Sequence, residues 1–314
     1  MKTKSIKNKP VKNKPVKNKP VKNKPVKKTE RIGKFSDKNK LNDLTGSEWT
    51  HFLCSVEVTK YSTHGDEGFS HKLRKQHPSP KPPWILKDII EFFTKEKQWV
   101  LDPFVGVGGT LFGCSLSNRN GVGVELEKKY LKIYDEVCTQ EKVKSQNMLH
   151  GNSENIEKIL TDLRKKNKKV PEQFDLILTD PPYANMMAKK RTVSAKNGKT
   201  STPFSESKED IGNLSLPEFL EKFKEITVSS LKYLKNKKYL IVFIKDMQPK
   251  EEHHNMLHAD VVSKLLEIPE LKFKGYKIWF DKTQTLYPLG YPYAFVANQF
   301  HQYILVFRKE EPEK

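Results

Sequence analysis

The chain has 314 residues, enough for one large domain or two small ones, and its 58 Lys+Arg against 38 Asp+Glu give a formal charge of +20. No apolar run approaches the roughly 20 residues that a membrane-spanning helix needs, and the basic start lacks the apolar stretch of a secretory signal. Cys54, Cys114 and Cys138 show neither C-x-x-C spacing nor histidine partners at zinc-like intervals, which excludes a disulfide scaffold and points to a reducing, cytoplasmic compartment.

Residues 1–40 hold 16 Lys/Arg against Glu30 and Asp37, so they carry +14 of the total. Within them, residues 7–26 repeat Lys-Asn-Lys-Pro-Val four times. A proline at every fifth position removes backbone donors and blocks helix, and the charge repels itself, so residues 1–42 are read as a disordered lysine-rich tail. Such a tail either solubilises the chain or tethers it to a polyanion through counterion release, and the tether is the favoured reading. It has no amphipathic or lipidation signal for a membrane.

From residue 43 to about 310 the composition is that of one globular domain. Trp99–Pro103 reads as a buried strand and Gly109–Ser117 as a helix, followed by a strand at Gly121–Leu126 and a helix at Glu127–Cys138. Phe174–Thr179 is a third strand, Leu216–Leu234 an amphipathic helix and Tyr239–Lys245 a fourth strand. Tyr276–Phe280 and Gln302–Phe307 look like a closing hairpin or edge pair. This alternation predicts an α/β fold with an open, mostly parallel sheet and ligands at the carboxyl ends of its strands.

Three strand ends carry chemistry. In Asp102-Pro103-Phe104-Val105-Gly106-Val107-Gly108-Gly109-Thr110 the glycines let backbone approach a ligand closely and enter a helix tightly. The Gly-Lys-Ser/Thr ending of a phosphate loop is absent, and the spacing is not G-x-G-x-x-G. Glu125 closes the next strand, where a ribose-binding carboxylate belongs, and implies an adenosine-type cofactor across two adjacent strand ends. Third, Asp180-Pro181-Pro182-Tyr183 follows a hydrophobic strand. Two prolines stiffen the turn and leave its carbonyls as acceptors, and the carboxylate and ring suit a planar base bearing an exocyclic amino group.

With these residues in place, the chain resembles, over roughly residues 70–310, the S-adenosylmethionine-dependent DNA amino-methyltransferases that modify adenine N6 or cytosine N4. Asp102–Thr110 looks like their cofactor loop and Asp180–Tyr183 like their catalytic turn. The segment His77-Pro-Ser-Pro80 with Lys81-Pro-Pro-Trp84, before a helical Ile85–Phe93, resembles the stretch that packs by the cofactor methionine. The resemblance implies a Rossmann-like class I methyltransferase fold with a C-terminal antiparallel hairpin and a DNA base flipped into the site. His77, Asp102, Pro103, Phe104, Gly106, Gly108, Gly109, Thr110, Glu125 and Asn152 would hold the cofactor, with Asp180, Pro181, Pro182 and Tyr183 catalytic. Asn152 stands where such enzymes often carry an acid, and the Asp-Pro-Pro-Tyr form leans toward adenine N6.

The chain has no separate domain of 80 or more residues for reading a target. The polar stretch Lys189–Lys208 is the candidate mobile target-contacting loop, and Lys250–Asp260 is a second spare surface; a specificity subunit could otherwise read the site. A cognate nuclease of a restriction–modification pair and a nucleoid-associated location are consistent with the resemblance. The aromatic segments Tyr287–Tyr293 and Asn298–Tyr303 can stack on an extruded base, but core and hairpin packing is the favoured reading. His301 is read as structural. His253, His254 and His258 lack a carboxylate placed as a third ligand, so no metal site is expected. Cytosine N4 methylation, guanine N2 methylation of RNA, and a catalytically silent nucleic-acid-binding subunit remain the alternatives. No cysteine follows a proline, which argues against a covalent cytosine C5 mechanism.

Overall fold

A computed structural model describes residues 36–184, 205, 207–246 and 256–311. Nearly all of the lysine-rich tail, most of the Lys189–Lys208 loop and the His253-His254 pair lie outside the described residues. In chain order the elements are α1 (Gly46–Phe52), β1 (Val56–Thr59), α2 (Gly65–Gly68), α3 (His71–Arg74), α4 (Pro83–Phe93), β2 (Trp99–Asp102), α5 (Gly109–Leu116) and β3 (Asn120–Glu125). They continue with α6 (Lys128–Glu141), β4 (Asn147–His150), α7 (Ile156–Lys166), β5 (Phe174–Thr179), α8 (Leu216–Leu231), β6 (Leu234–Ile244), α9 (Leu257–Leu265), β7 (Leu271–Asp281) and β8 (Gln302–Lys309).

The strands form one eight-stranded sheet in the order β1-β7-β8-β6-β5-β2-β3-β4. Every neighbouring pair is parallel except those of β8, which runs antiparallel to both β6 and β7. This is a Rossmann-like α/β arrangement with one antiparallel strand near its edge. The two closing strands are not a tight hairpin, since residues 282–301 separate them and β8 inserts between β6 and β7. From β2 the chain builds outward through β3 to β4, then returns to place β5 on the other side of β2. The crevice where the order reverses therefore lies between the carboxyl ends of β2 and β5, the position where open α/β sheets bind ligands.

The strand β5 is buried along its whole length because both sheet faces are covered. Ile177 joins Phe219, Phe223 and Leu160 on the face carrying α7, α8 and α9. Leu176 and Leu178 join Ile85, Ile89 and Phe243 on the face carrying α4. A third cluster locks α5 to α6 through Phe112, Tyr134 and Val137. The helix α8 is shorter than its sequence pattern, because the chain turns after Leu231 and enters β6 at Leu234. The lysine-rich opening of that strand, Leu234–Lys238, hides it from a hydrophobic-run reading. Ahead of α1, Asn42 is almost fully buried and donates its side-chain amide to the Phe92 carbonyl at 2.6 Å, so packed structure already includes this residue.

Candidate active site

At the carboxyl end of β2 the chain turns through Pro103–Gly108 into α5. Asp102 is 2% exposed and organises this turn. Its Oδ1 accepts from the Phe104 amide at 2.9 Å and from the Thr179 hydroxyl at 2.8 Å, and its Oδ2 accepts from the Thr110 hydroxyl at 2.6 Å. Burial pushes its carboxyl up to about 6, opposed by these three hydrogen bonds. Asp102 thus ties the glycine turn to the last residue of β5, and both of its oxygens are engaged by the protein.

The glycines divide their labour. Gly106 has φ +54° and a Cβ there would stand 3.2 Å from the His77 Nε2, so the ring and the turn wall the cleft together. Gly108, at φ +85°, does not line the cleft; a Cβ there would fall 2.2 Å from the Tyr134 ring. It is a packing position, unlike the cofactor contact expected from sequence. Gly109 lines the cleft but lies against Leu86, which a Cβ would meet at 2.9 Å.

Around this turn opens a cleft of roughly 1030 Å³, bordered by every sequence-expected site residue except Gly108. Glu125 at the end of β3 accepts from the Glu127 amide at 2.8 Å. Burial raises its carboxyl to about 8, against hydrogen bonds from the Glu127 and Gly106 amides and with the added repulsion of Asp210 and Glu127. His77 is driven down to about 3, first by burial and then by the charge of Lys81, so its ring is neutral. Its Nδ1 accepts from the Ser79 amide at 3.2 Å, which places the ring proton on Nε2. Asn152 lines the cleft, but its carbonyl oxygen caps a short turn by accepting from the Glu154 amide at 2.9 Å. Beside it, Ser153 donates to the Pro103 carbonyl.

The other half of the cleft is Asp180–Tyr183, one residue beyond β5. The Tyr183 hydroxyl donates to Asp180 Oδ1 at 2.6 Å, and burial raises the phenol well above its usual range. The Lys81 ammonium donates to Asp180 Oδ2 and sits 5.4 Å from the centre of the Phe243 ring. Lys81 is 7% exposed, and its carbonyl accepts from buried Arg74 at 2.9 Å, a guanidinium that also binds the Phe69 and Gly68 carbonyls. A carboxylate has about four lone-pair sites, so two donors fix Asp180 and leave acceptor capacity facing the cleft.

Sequence reasoning missed Lys81, Arg74, Glu127, Ser205 and Asp210 as site residues. Ser205 donates to Glu127, and Asp210 is nearly buried with its carboxyl raised by that burial. Lys81 had a local signal in the Lys-Pro-Pro-Trp segment, but its partner lies 99 residues away. Of the candidate histidines, His258 pairs its Nδ1 with Asp246 at 2.7 Å and stacks on Tyr303. Among the described residues no cluster of three or more His, Cys, Asp or Glu is placed to hold a metal ion, and no helix is long and apolar enough to cross a membrane.

The switch point of this sheet pairs an acid-and-glycine turn with a rigid Asp-Pro-Pro-Tyr turn, the two features on which the sequence resembles the amino-methyltransferases. The family model described as a DNA methylase matches residues 2–136, which include the Asp102 turn and Glu125 but stop short of Asp180. The chain is 45% identical over 104 residues to the Type II methyltransferase M2.LlaDCHI of Lactococcus lactis subsp. cremoris, covering 33% of this chain and 32% of that one. It is 38% identical over 68 residues to the Type II methyltransferase M.HpaI of Haemophilus parainfluenzae, covering 22% of each. The matched stretches thus span a third or less of the length of these curated relatives. Among solved structures, TrmN from Thermus thermophilus aligns with a TM-score of 0.47 at 12% identity, over 77% of this chain and 53% of that one. Over these stretches the chain is similar to DNA methylases and Type II methyltransferases, enzymes that draw their methyl group from S-adenosylmethionine.

The residues present fit that cofactor. Glu125 offers an acceptor for ribose hydroxyls, His77 and Gly106 give a close uncharged wall, and the cleft's six acidic side chains (Asp102, Glu125, Glu127, Asp180, Glu209, Asp210) outnumber its one ammonium, which suits a cationic sulfonium.

Proposed function

We propose that this chain transfers a methyl group from S-adenosylmethionine to an exocyclic amino group of a DNA base, with adenine N6 the favoured acceptor. The observation that carries this reading is the placement of Asp180, clamped by Lys81 and Tyr183, in the same cleft as Glu125 and the Asp102 turn. The bound cofactor supplies an electrophilic methyl carbon. Glu125 holds the ribose, while Phe104 and His77 wall the cofactor. An adenine amino group is a poor nucleophile because its lone pair is delocalised into the ring. Asp180 and the Pro181 carbonyl accept its two N–H groups, draw the nitrogen toward tetrahedral geometry and aim the lone pair at the methyl. Pro181 and Pro182 keep those acceptors still. After transfer the nitrogen carries an extra proton, for which the Asp180 carboxylate is the nearest base of the turn. Tyr183 turns its hydroxyl back to Asp180, and its ring edges the cleft where a base would stack.

The test is incubation of the full chain with isotopically labelled S-adenosylmethionine and unmethylated DNA or RNA, followed by digestion to nucleosides. Labelled N6-methyl-2′-deoxyadenosine from DNA supports the reading. N4-methylcytosine would move the acceptor, labelled RNA would move the substrate, and no label would leave a silent binding subunit.

A further inference from the structure

The connection between β7 and β8 has no catalytic part in the reading above, yet it carries the most exposed large hydrophobic side chains among the described residues. Tyr291, Tyr293 and Phe295 are 82%, 94% and 95% exposed, and Leu286 is 75% exposed. These aromatics do not fill the core or a hairpin, contrary to the reading favoured from sequence. Water disfavours such a surface, so a folded chain that builds one has a use for it.

The segment is a built turn. Asn298 clamps its two arms, accepting from the Tyr287 amide at 3.0 Å and donating to the Tyr287 carbonyl at 2.9 Å. Gly290 has φ +73°, and its carbonyl accepts from the Tyr293 and Ala294 amides at 2.7 and 2.8 Å. A Cβ on Gly290 would lie 2.2 Å from the Ala294 carbonyl oxygen, so this close reversal requires glycine. Phe300 stacks on Phe280 and fastens the base of the turn to β7. The backbone is spent on presenting three rings outward.

Its place in the fold fixes what it meets. Ile244, the last residue of β6, pairs with Tyr303, and Val242 pairs with Thr179 on the other side. Residues 282–301 therefore leave the sheet at the same edge as Asp180. They contain Lys282 and His301 but no aspartate or glutamate. An aromatic, acid-free turn at the same end of the sheet as the cleft matches the stacking platforms that engage unstacked bases and the apolar wedges that enter base steps.

We propose that residues 286–295 are a duplex-contacting wedge, with Tyr291, Tyr293 and Phe295 stacking on bases of the DNA that flanks the extruded nucleotide. This rests on the reading of the chain as a DNA amino-methyltransferase and names a second contact with the same substrate.

The test compares the full chain with a Tyr291→Ser/Tyr293→Ser/Phe295→Ser variant and a Tyr291→Trp/Tyr293→Trp variant. Folding is checked by thermal melting and cofactor affinity, which the exposed positions leave unchanged. On a fluorescent mixed-sequence duplex the serine variant should bind about tenfold or more weakly, since stacking contributes appreciably per base. Its slope of log Kd against log salt should be unaltered, because rings release no counterions. The tryptophan variant should bind as the wild type does. Equal affinity of wild type and serine variant overturns the wedge, as does weakened binding by the tryptophan variant. Loss of self-association by light scattering with DNA affinity intact assigns the surface to a second copy of the chain and also overturns it. If the wild type transfers no methyl group to DNA, the functional reading fails instead, a result separate from any difference between variants.

Discussion

At the scale of single residues the site turns on two carboxylates with different tasks. In the proposed reading Asp180 would meet the target amine, so Asp180→Ala should abolish methyl transfer while changing cofactor affinity by less than about tenfold, as calorimetry beside a transfer assay would show. In the same reading Glu125 would hold the cofactor ribose. Its free carboxyl sits at about 8 because it is buried, whereas ribose hydroxyls donate to the charged form. Cofactor binding below that pH must expel a proton, so affinity should rise as pH climbs from 6.5 toward 8 and then level off; titrations across that range check it. In the ligand-free protein the sign is opposite. The folded chain holds this proton more tightly than the unfolded one, so the stabilisation is complete below about 4.5 and is lost as pH rises through about 8. Glu125→Gln should flatten both profiles and weaken cofactor binding by about tenfold or more. Both acids were legible because each closes a recognisable hydrophobic strand. Lys81 was not legible as the partner of Asp180, since that pairing exists only once α4 and β5 share one face of the sheet.

At the scale of elements, packing decides more than propensity. The turn into α5 depends on Gly108, whose backbone is left-handed and whose missing side chain admits the fully buried ring of Tyr134 from α6. Gly108→Ala combines a strained φ with an overfilled contact and should cost about 2–4 kcal/mol in urea unfolding, with cofactor binding lost as the turn moves. The sequence pattern located β5 residue for residue because Phe174–Thr179 is a continuous apolar run buried on both faces. It missed β4, which has three half-buried residues and an exposed His150, and β1, a half-exposed edge strand whose place is defined by pairing with β7 more than 200 residues away. It also assigned the aromatics of residues 287–295 to packing, because periodicity records which residues are apolar and not which way a turn presents them.

At the scale of the whole molecule, charge and chemistry are separated along the chain. The proposed site residues all lie after residue 70, whereas +14 of the net +20 lies before residue 41. Deleting residues 1–40 should leave turnover on saturating DNA nearly intact. It should weaken binding to any sequence and lower the slope of log K against log salt by about four to five units, if a third of the 16 cations meet phosphates. The methylated sequence should not change, because phosphate contacts carry no base information. An unchanged slope would leave the tail a solubilising one.

Asp102 takes hydrogen bonds from the glycine turn through Phe104 and Thr110 and from the end of β5 through Thr179. One buried anion is thus shared by the segment that would receive the cofactor and the segment that presents Asp180. The two ligands are then thermodynamically linked: whatever factor the cofactor adds to the affinity for the base, the base adds to the affinity for the cofactor. Thr179→Val removes the shared bond while keeping the side chain's shape, and should leave each ligand able to bind alone while bringing that mutual factor close to one.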